Sequence, residues 1–363
     1  MRRHNNLYSR IYNFENLLLA FRKASRGRRF APEVLRFQDR LEENLINLQD
    51  ELVRGTYKPS PYRTFTIYEP KERIIHVAPF RDRVVHHAIM NIIEPIWDRL
   101  FIYDTYACRK GKGTHAGVNR TTEFLRAAEV KWGAAVPPRL QGEGGVRVGH
   151  RVFCFQGDIS KCFPSINHHI LMRIIEQKIK CKDTLRLFDK IIFNGGDHAN
   201  PDSHNLPIGN LVSQWAANLY LSELDYFVKH HLKVKFYVRY MDDFILLSND
   251  KGKLHAHRRA VEVFLWEKLR MKLNPKSDIY PVSQGIDFLG YRIWSSHRLL
   301  RKISLYRATK RFKKLSGLYS QGRVTMQHVK ASVMSWLGHC VHANAGSGVK
   351  ICLQALKLTA KNL

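Results

Sequence analysis

Apolar residues recur along this chain with two kinds of spacing, one typical of helices and one typical of strands. Helical spacing covers residues 32–54, 79–97, 183–193, 211–231 and 251–270, and a further helix follows Asn167, which is a good helix cap. Apolar runs typical of strands cover 61–78, 152–157, 234–240, 243–248 and 286–294. From about residue 301 the pattern is again helical. The chain is therefore predicted to have an α+β fold.

Two of the strand patterns are typical of hairpins. Only residues 241 and 242 separate the runs 234–240 and 243–248, which places Tyr240-Met241-Asp242-Asp243 at the tip of a tight hairpin. The run 61–78 is interrupted by Pro70 and Lys71, which predicts a second tip. Residues 131–150 are rich in Gly and Pro and indicate a loop or hairpin insertion.

Charge narrows the possible partners. The 363 residues include 60 Lys and Arg against 31 Asp and Glu, a net charge of +29. Such a surface repels itself unless an anion covers it, and nucleic acid is the usual polyanion. The basic residues are spread along the whole chain, which suits a long groove that holds a duplex by its phosphates. Composition alone leaves open a ribosomal-type or chromatin-type binding protein.

Other compositional features exclude some classes of protein. The 6 cysteines form no CxxC pair, so neither extracellular disulfides nor a zinc ribbon is indicated. Cys162, His168 and His169 lie close in sequence but lack the spacing of zinc ligands. No apolar run is long enough for a membrane-spanning helix, so we expect no membrane association and a cytoplasmic location.

Three carboxylates are placed where strands end. Asp242 and Asp243 at a turn would alone be ordinary turn residues. Asp158, however, ends the apolar run 152–157, and we expect all three to converge on one edge of a sheet. Such a cluster is what two Mg²⁺ ions need for phosphoryl transfer.

The sequence blocks around these residues resemble those of reverse transcriptases in the group II intron-like branch. In chain order they are RIIHVAPFRDRVVHHAI, DTYACRKGKGTHAGV, GDISKCFPSI, LPIGNLVSQ, YMDD, LNPKSD and GIDFLGYRI. The resemblance implies a right-hand RNA-directed DNA polymerase with fingers, a ferredoxin-like palm and a helical thumb. The implied domains are an N-terminal helical extension (1–60), fingers (61–150), palm (151–300) and thumb (301–363).

The same resemblance assigns the catalytic roles. Asp158 and Asp242 would ligate both Mg²⁺ ions, which Mn²⁺ can replace, together with the main-chain carbonyl of Ile159. Asp243 would be a weaker ligand. Phe163 would be the steric gate that excludes ribonucleotides by a clash at the 2′ position.

The resemblance also implies substrate contacts. Lys71 and Arg73 would hold the triphosphate of the incoming dNTP, and Lys276 would lie near it. Arg109 would contact the template backbone, and Gly290 would belong to the primer grip of the RNA–DNA duplex.

One block departs from most of the family. Where most members have Gln before the Gly and then Ser-Pro, this chain has Ile208 and, after Ser213, Gln214. This form resembles the enzymes of diversity-generating retroelements, which are encoded by bacteria or phages and copy a template-repeat RNA with errors at adenine for mutagenic retrohoming. Those enzymes work with a small basic accessory protein, expected to be oligomeric. The short segment after the FLGY block also indicates no maturase or endonuclease domain.

Two alternatives stay open at this point. One is another bacterial reverse transcriptase of the same branch, of the retron, CRISPR-associated or abortive-infection type. The other is a catalytically silent RNA-binding scaffold with a polymerase fold.

Overall fold

The computed structural model describes residues 3–68, 72–133, 151–194 and 197–358. Its helices are α1 (Tyr8–Tyr12), α2 (Phe14–Ala24), α3 (Pro32–Asp39), α4 (Leu41–Val53), α5 (Phe80–Asp98), α6 (Thr114–Trp132), α7 (Cys162–Ser165), α8 (His168–Glu176), α9 (Lys182–Ile192), α10 (Leu211–Tyr226), α11 (Lys251–Leu269), α12 (Lys302–Ser320), α13 (Met326–Cys340) and α14 (Gly346–Gln354). Its strands are β1 (Arg63–Ile67), β2 (Arg73–Val77), β3 (Phe153–Asp158), β4 (Tyr237–Tyr240), β5 (Asp243–Ser248), β6 (Asp278–Pro281), β7 (Ile286–Phe288), β8 (Tyr291–Ile293) and β9 (Arg298–Leu300). The predicted α+β class is confirmed.

The chain divides into two compact units, each discontinuous in sequence. Unit 1 comprises Met1–Arg109, Gly157–Lys233 and Arg258–Ser277, and unit 2 comprises Lys110–Gln156, Val234–His257 and Asp278–Leu363. Each unit takes residues from more than one of the predicted domains. The predicted domain boundaries stay predictions.

The predicted helix over 32–54 is in fact two helices. Arg40 breaks it, with φ −123° and ψ 52°, between α3 and α4. Two acidic residues, Glu42 and Glu43, then occupy the first turn of α4, where they stabilise a helix start. The break lets each helix bury its own apolar face, Val34 in α3 and the leucines 45, 48 and 52 in α4. Helices α1 and α2 were expected only in general terms, as part of the N-terminal helical extension, and α6 and α7 were not predicted.

Unit 1 also contains the fingers-type hairpin and the helices that follow it. β1 and β2 pair antiparallel with Ile67 opposite Arg73, and the tip residues 69–71 lie outside the described residues. Asn167 caps α8 as predicted, since its side chain accepts a hydrogen bond from the Ile170 N–H at 3.0 Å. The predicted helix over 211–231 ends its α-helical part at Tyr226 and continues as a π-helical turn.

Unit 2 contains most of a four-stranded sheet in the order β4-β5-β3-β6. β3 and β6 pair antiparallel, as do β4 and β5. The predicted single strand over 286–294 is instead a hairpin. Its two strands, β7 and β8, are joined by a turn at Leu289 and Gly290, which both have positive φ. β9 pairs with β8 and adds a third strand to this small sheet.

The predicted helical C-terminal region is confirmed as α12, α13 and α14. Phe312 of α12 meets Trp336 of α13 edge to face at 5.2 Å between ring centroids, and both rings are buried. Among the described residues, no helix is both long and apolar enough to cross a membrane.

Candidate active site

Asp158 is the last residue of β3, and the segment 273–277 holds it in place. Its main-chain N–H donates to Ser277 Oγ at 3.1 Å, and its carbonyl accepts from the Asn274 N–H at 2.7 Å. The side-chain amide of Asn274 donates to Asp158 Oδ2 at 2.5 Å. The next residue, Ile159, is buried and forms an antiparallel bridge with Leu273. The carboxylate is thus oriented by a neutral hydrogen-bond donor.

Asp242 and Asp243 lie at the β4–β5 turn of unit 2, as predicted. Tyr240 pairs with Asp243, so the turn itself is Met241-Asp242. Met241 has a φ of 52°, in the left-handed region. Arg239 is fully buried at 0% exposure, and its Nη1 donates to the Met241 carbonyl at 3.0 Å. A buried guanidinium therefore supports the strained residue that precedes Asp242.

Phe163 lies in the short helix α7, four residues past Ile159. It is partly exposed, unlike the core phenylalanines 155, 188 and 244. Its main-chain carbonyl accepts a hydrogen bond from the Leu206 N–H at 3.0 Å. The structure therefore connects the predicted gate directly to the block that contains Ile208.

The block around Ile208 packs by its backbone on β2. The His76 N–H donates to the Ile208 carbonyl at 2.9 Å. Gly209 follows with a φ of +113°, and a Cβ there would come within 3.0 Å of the His76 carbonyl oxygen and of the Ile75 side chain. The close approach therefore requires glycine. The Ile208 side chain itself is partly exposed.

Unit 1 thus brings four of the predicted blocks together by main-chain hydrogen bonds. They are the strand that begins with Arg73, the block of Ile208, the block that runs from the end of β3 to Phe163, and the block of Asn274. Gln214, in the first turn of α10, is partly exposed, and its Oε1 lies 3.8 Å from Cys108 Sγ.

The structure tests the predicted triphosphate cations only by their position. Arg73 is exposed at the start of β2, and Lys276 is exposed in the turn between Asn274 and Ser277. Lys71 lies outside the described residues. Their contact with substrate stays a prediction.

Arg109 is a different case. Its Nε contacts Asp98 Oδ1 at 2.6 Å, and its Nη1 donates to the carbonyls of Ile102 and Thr105 at 2.8 and 3.0 Å. Only 9% of its side chain is exposed. The guanidinium therefore anchors the loop after α5, and the predicted contact with the template backbone stays a prediction.

Gly290 lies in the β7–β8 turn of unit 2. With a φ of +92° it is in the region that favours glycine, and a Cβ there would touch the His339 ring at 3.4 Å. Tyr291 donates its hydroxyl to the His339 carbonyl at 2.8 Å. The predicted primer-grip turn is thus fastened to α13, and its role in binding stays a prediction.

The predicted metal ligands are two carboxylates and one main-chain carbonyl. Within the described residues, no three or more His, Cys, Asp or Glu side chains form a group that could hold a metal ion. Asp158 belongs to unit 1, and Asp242 and Asp243 belong to unit 2, so the expected convergence of the three carboxylates stays a prediction. The smaller donor set still fits Mg²⁺, which commonly binds through one or two carboxylates and completes its shell with substrate phosphates and water.

Three residues that matter to these positions were missed in the sequence. Asn274 and Ser277 hold Asp158, and Arg239 supports the Met241 carbonyl. A signal for Arg239 was present, because a charged residue within an otherwise apolar strand is unusual. Asn274 carried no such signal, since its partner lies 116 positions away.

Two bacterial proteins are similar in sequence to this chain over more than two thirds of its length. Protein YkfC of Escherichia coli strain K12 is 28% identical over 309 residues, which cover 74% of this chain and 74% of that protein. The group II intron-encoded protein LtrA of Lactococcus lactis subsp. cremoris is 25% identical over 323 residues, which cover 69% of this chain. The alignment spans only 50% of LtrA.

Solved structures show the fold. Telomerase from Candida albicans, in complex with a TWJ fragment of telomeric RNA, has a TM-score of 0.50 and 11% sequence identity, covering 73% of this chain and 52% of that one. The predicted right-hand polymerase fold is confirmed by this similarity together with the family match. The family described as "Reverse transcriptase (RNA-dependent DNA polymerase)" matches residues 58–293, which is more than half of the chain. The chain therefore belongs to the reverse transcriptase family of RNA-directed DNA polymerases.

Proposed function

We propose that this chain is the reverse transcriptase of a diversity-generating retroelement, which copies a template-repeat RNA into cDNA with errors directed to adenine. The observation that carries the proposal is Ile208, which stands where most of the family has glutamine. Its carbonyl is bonded to β2 and the following Gly209 is in close contact there, so the backbone of this block has one fixed position. The difference at this position therefore lies in the side chain, which is partly exposed and would face the substrates.

The catalytic roles are part of this proposal. Asp158, Asp242 and the carbonyl of Ile159 would hold two divalent cations, Mg²⁺ or Mn²⁺, which activate the primer 3′-hydroxyl and stabilise the leaving pyrophosphate. Asn274 orients the Asp158 carboxylate, and Arg239 supports the turn that presents Asp242 and Asp243.

The proposal also assigns residues that would contact the incoming nucleotide. Phe163 would exclude the 2′-hydroxyl of ribonucleotides, and its partial exposure supports this role over that of a core residue. Lys71, Arg73 and Lys276 would balance the charge of the triphosphate. Gln214 would border the nascent base pair.

The proposal also covers the binding partners of the chain and its cellular location. The net charge of +29 suits a chain that is covered by structured RNA and by the RNA–DNA duplex. A small basic accessory protein, a primer-grip role for Gly290 and a cytoplasmic, bacterial or phage-encoded setting are further parts of it.

The test of the retroelement assignment is sequencing of cDNA made from one RNA template. Wild type should misincorporate opposite adenine far more than opposite the other bases. Ile208→Gln should reduce that error by up to about tenfold, because one hydrogen bond contributes about 0.5–1.5 kcal/mol and a tenfold gain in discrimination needs about 1.4 kcal/mol.

Ile208→Leu is the matched control, since it changes shape without adding an amide and should keep the adenine bias. Equal error at all four bases in wild type would refute the retroelement assignment. An adenine bias unchanged in Ile208→Gln would refute only the role of this side chain.

A further inference from the structure

The C-terminal half of α11 has two contrasting faces. Val261, Leu265 and Leu269 are fully buried and hold the helix on unit 1. On the opposite face, Arg259, Val263 and Trp266 follow helical spacing, and Arg270 comes directly after the helix with a φ of 51°. All four are exposed, and we call these four residues the Trp266 stripe.

The apolar members of the stripe are unusually open to solvent. Trp266 is 49% exposed and Val263 is 53% exposed. Arg270 Cζ lies 5.8 Å from the centroid of the Trp266 ring, and Lys272 Nζ lies 5.2 Å from it. Two cations thus frame one exposed indole, at distances where each is attracted to the ring.

The charge around the stripe selects an anionic partner. Within Arg258–Ser277, Glu262 is paired with Arg258 at 3.0 Å, which leaves Glu267 as the other acidic residue of this segment. The exposed cations of the segment are Arg259, Lys268, Arg270, Lys272 and Lys276. A site for an apolar protein surface would carry fewer charged residues than this one, and a basic protein would be repelled by its cations.

Aromatic rings between cations are the means by which proteins bind single-stranded nucleic acid. A base stacks on the ring while the cations contact the flanking phosphates. A duplex offers no free base face in the same way, because its bases are stacked on one another. The chemistry of the stripe therefore favours a single strand over a duplex.

Lys272, which lies beside the Trp266 ring, connects this surface to Asp158. The main-chain carbonyl of Lys272 accepts a hydrogen bond from the Ser160 N–H at 2.9 Å, and Asn274, two residues on, bonds to Asp158. We propose that the Trp266 stripe, with Lys272, binds single-stranded RNA beside the segment that holds Asp158. This deepens the proposed function by adding a site for RNA outside the duplex.

The experiment compares three fluorescein-labelled RNA–DNA duplexes: one is blunt, and the other two carry a single-stranded RNA extension of about ten nucleotides at one end or at the other. Fluorescence anisotropy with the full chain, without dNTPs, gives the affinity for each. Wild type should bind an extended duplex more tightly than the blunt one. Trp266→Ala should lose about tenfold of the affinity for the extended duplex, which is the expected loss of one stacked base.

Two further variants make the result specific. Trp266→Phe keeps an aromatic face and should retain most of the advantage of the extension. Arg270→Gln should reduce it and weaken its dependence on salt, whereas Arg186→Gln, which removes an exposed charge elsewhere in unit 1, should not.

The proposal is overturned if wild type binds the blunt and the extended duplexes with equal affinity. It is also overturned if Trp266→Ala still binds the extended duplexes more tightly, or if Trp266→Ala loses affinity for the blunt duplex by the same factor. The last two outcomes would leave the stripe to a protein partner or to no partner. Because the assay needs no synthesis, failure of the proposed polymerase activity would not change how it is interpreted.

Discussion

At the scale of single residues, the two units of this reverse transcriptase support their acidic residues by different means. Asp158 receives a neutral amide from Asn274, while the turn of Asp242 rests on the buried guanidinium of Arg239. A neutral donor orients a carboxylate at little cost to its affinity for a cation. The buried Arg239 acts on a main-chain carbonyl, so it fixes the shape of the turn.

The metal assignment can be tested at Asp242. Asp242→Asn should reduce DNA synthesis by at least a thousandfold, because an amide is a far weaker ligand for Mg²⁺ than a carboxylate. RNA binding should stay within about twofold. Primer extension and anisotropy measure the two effects.

Asp250→Asn is the matched control for this prediction. Asp250 is exposed and caps the start of α11 by accepting the Lys253 N–H at 3.0 Å, a role that Asn fills equally well. Synthesis by Asp242→Asn within tenfold of wild type would rule out the ligand role.

The gate can be tested at Phe163. Phe163→Ala should raise the ratio of ribonucleotide to deoxynucleotide incorporation by about tenfold or more, because it removes the clash with the 2′-hydroxyl. Phe163→Tyr keeps the ring and should keep the ratio. Single-nucleotide extension measures it, and an unchanged ratio in the alanine variant would return Phe163 to a packing role.

At the scale of elements, α5 contains a pH-sensitive position. His86 is buried, and burial lowers its pKa from 6.5 to about 4, which the nearby Asp82 only partly opposes while His87 and Arg83 add to the shift. In the unfolded chain this histidine takes up a proton near pH 6.5, whereas in the folded chain it does so only near pH 4. Its contribution to stability is therefore complete above pH 6.5 and is lost as the pH falls toward 4.

We expect His86 to account for about 2 kcal/mol of the stability lost between pH 7.5 and pH 5. His86→Leu should remove that part of the loss, as measured by urea unfolding at both pH values. His255→Leu, at an exposed position of α11, should leave the loss unchanged. An equal loss in His86→Leu and wild type would contradict the prediction.

At the scale of the whole molecule, the net positive charge follows directly from the amino-acid composition. The surplus of +29 is distributed over both units and not confined to one tail. It predicts long-range attraction of RNA that weakens as salt is added, while local features such as the Trp266 stripe decide which part of an RNA is held where.

The sequence by itself determined the catalytic blocks, their order and most of the regular elements. The hairpin that presents Asp242, the strand that ends at Asp158 and the cap at Asn167 depend on neighbours in sequence, so local spacing was enough to predict them. The role proposed for Ile208 also came from sequence, because it rests on a difference in residue type within a recognised block.

Only the tertiary structure decided which side chains support these positions and which are already in use. Arg109 was predicted to contact the template, yet its partners at Asp98, Ile102 and Thr105 are set by how the chain folds back. The helix break at Arg40 likewise could not be predicted from the spacing of apolar residues, since that spacing continues across it. Spacing reports which residues are apolar and where an element can form; the partners of a polar side chain are set by packing between distant segments, and the bond between Asn274 and Asp158 exists only once that packing is complete.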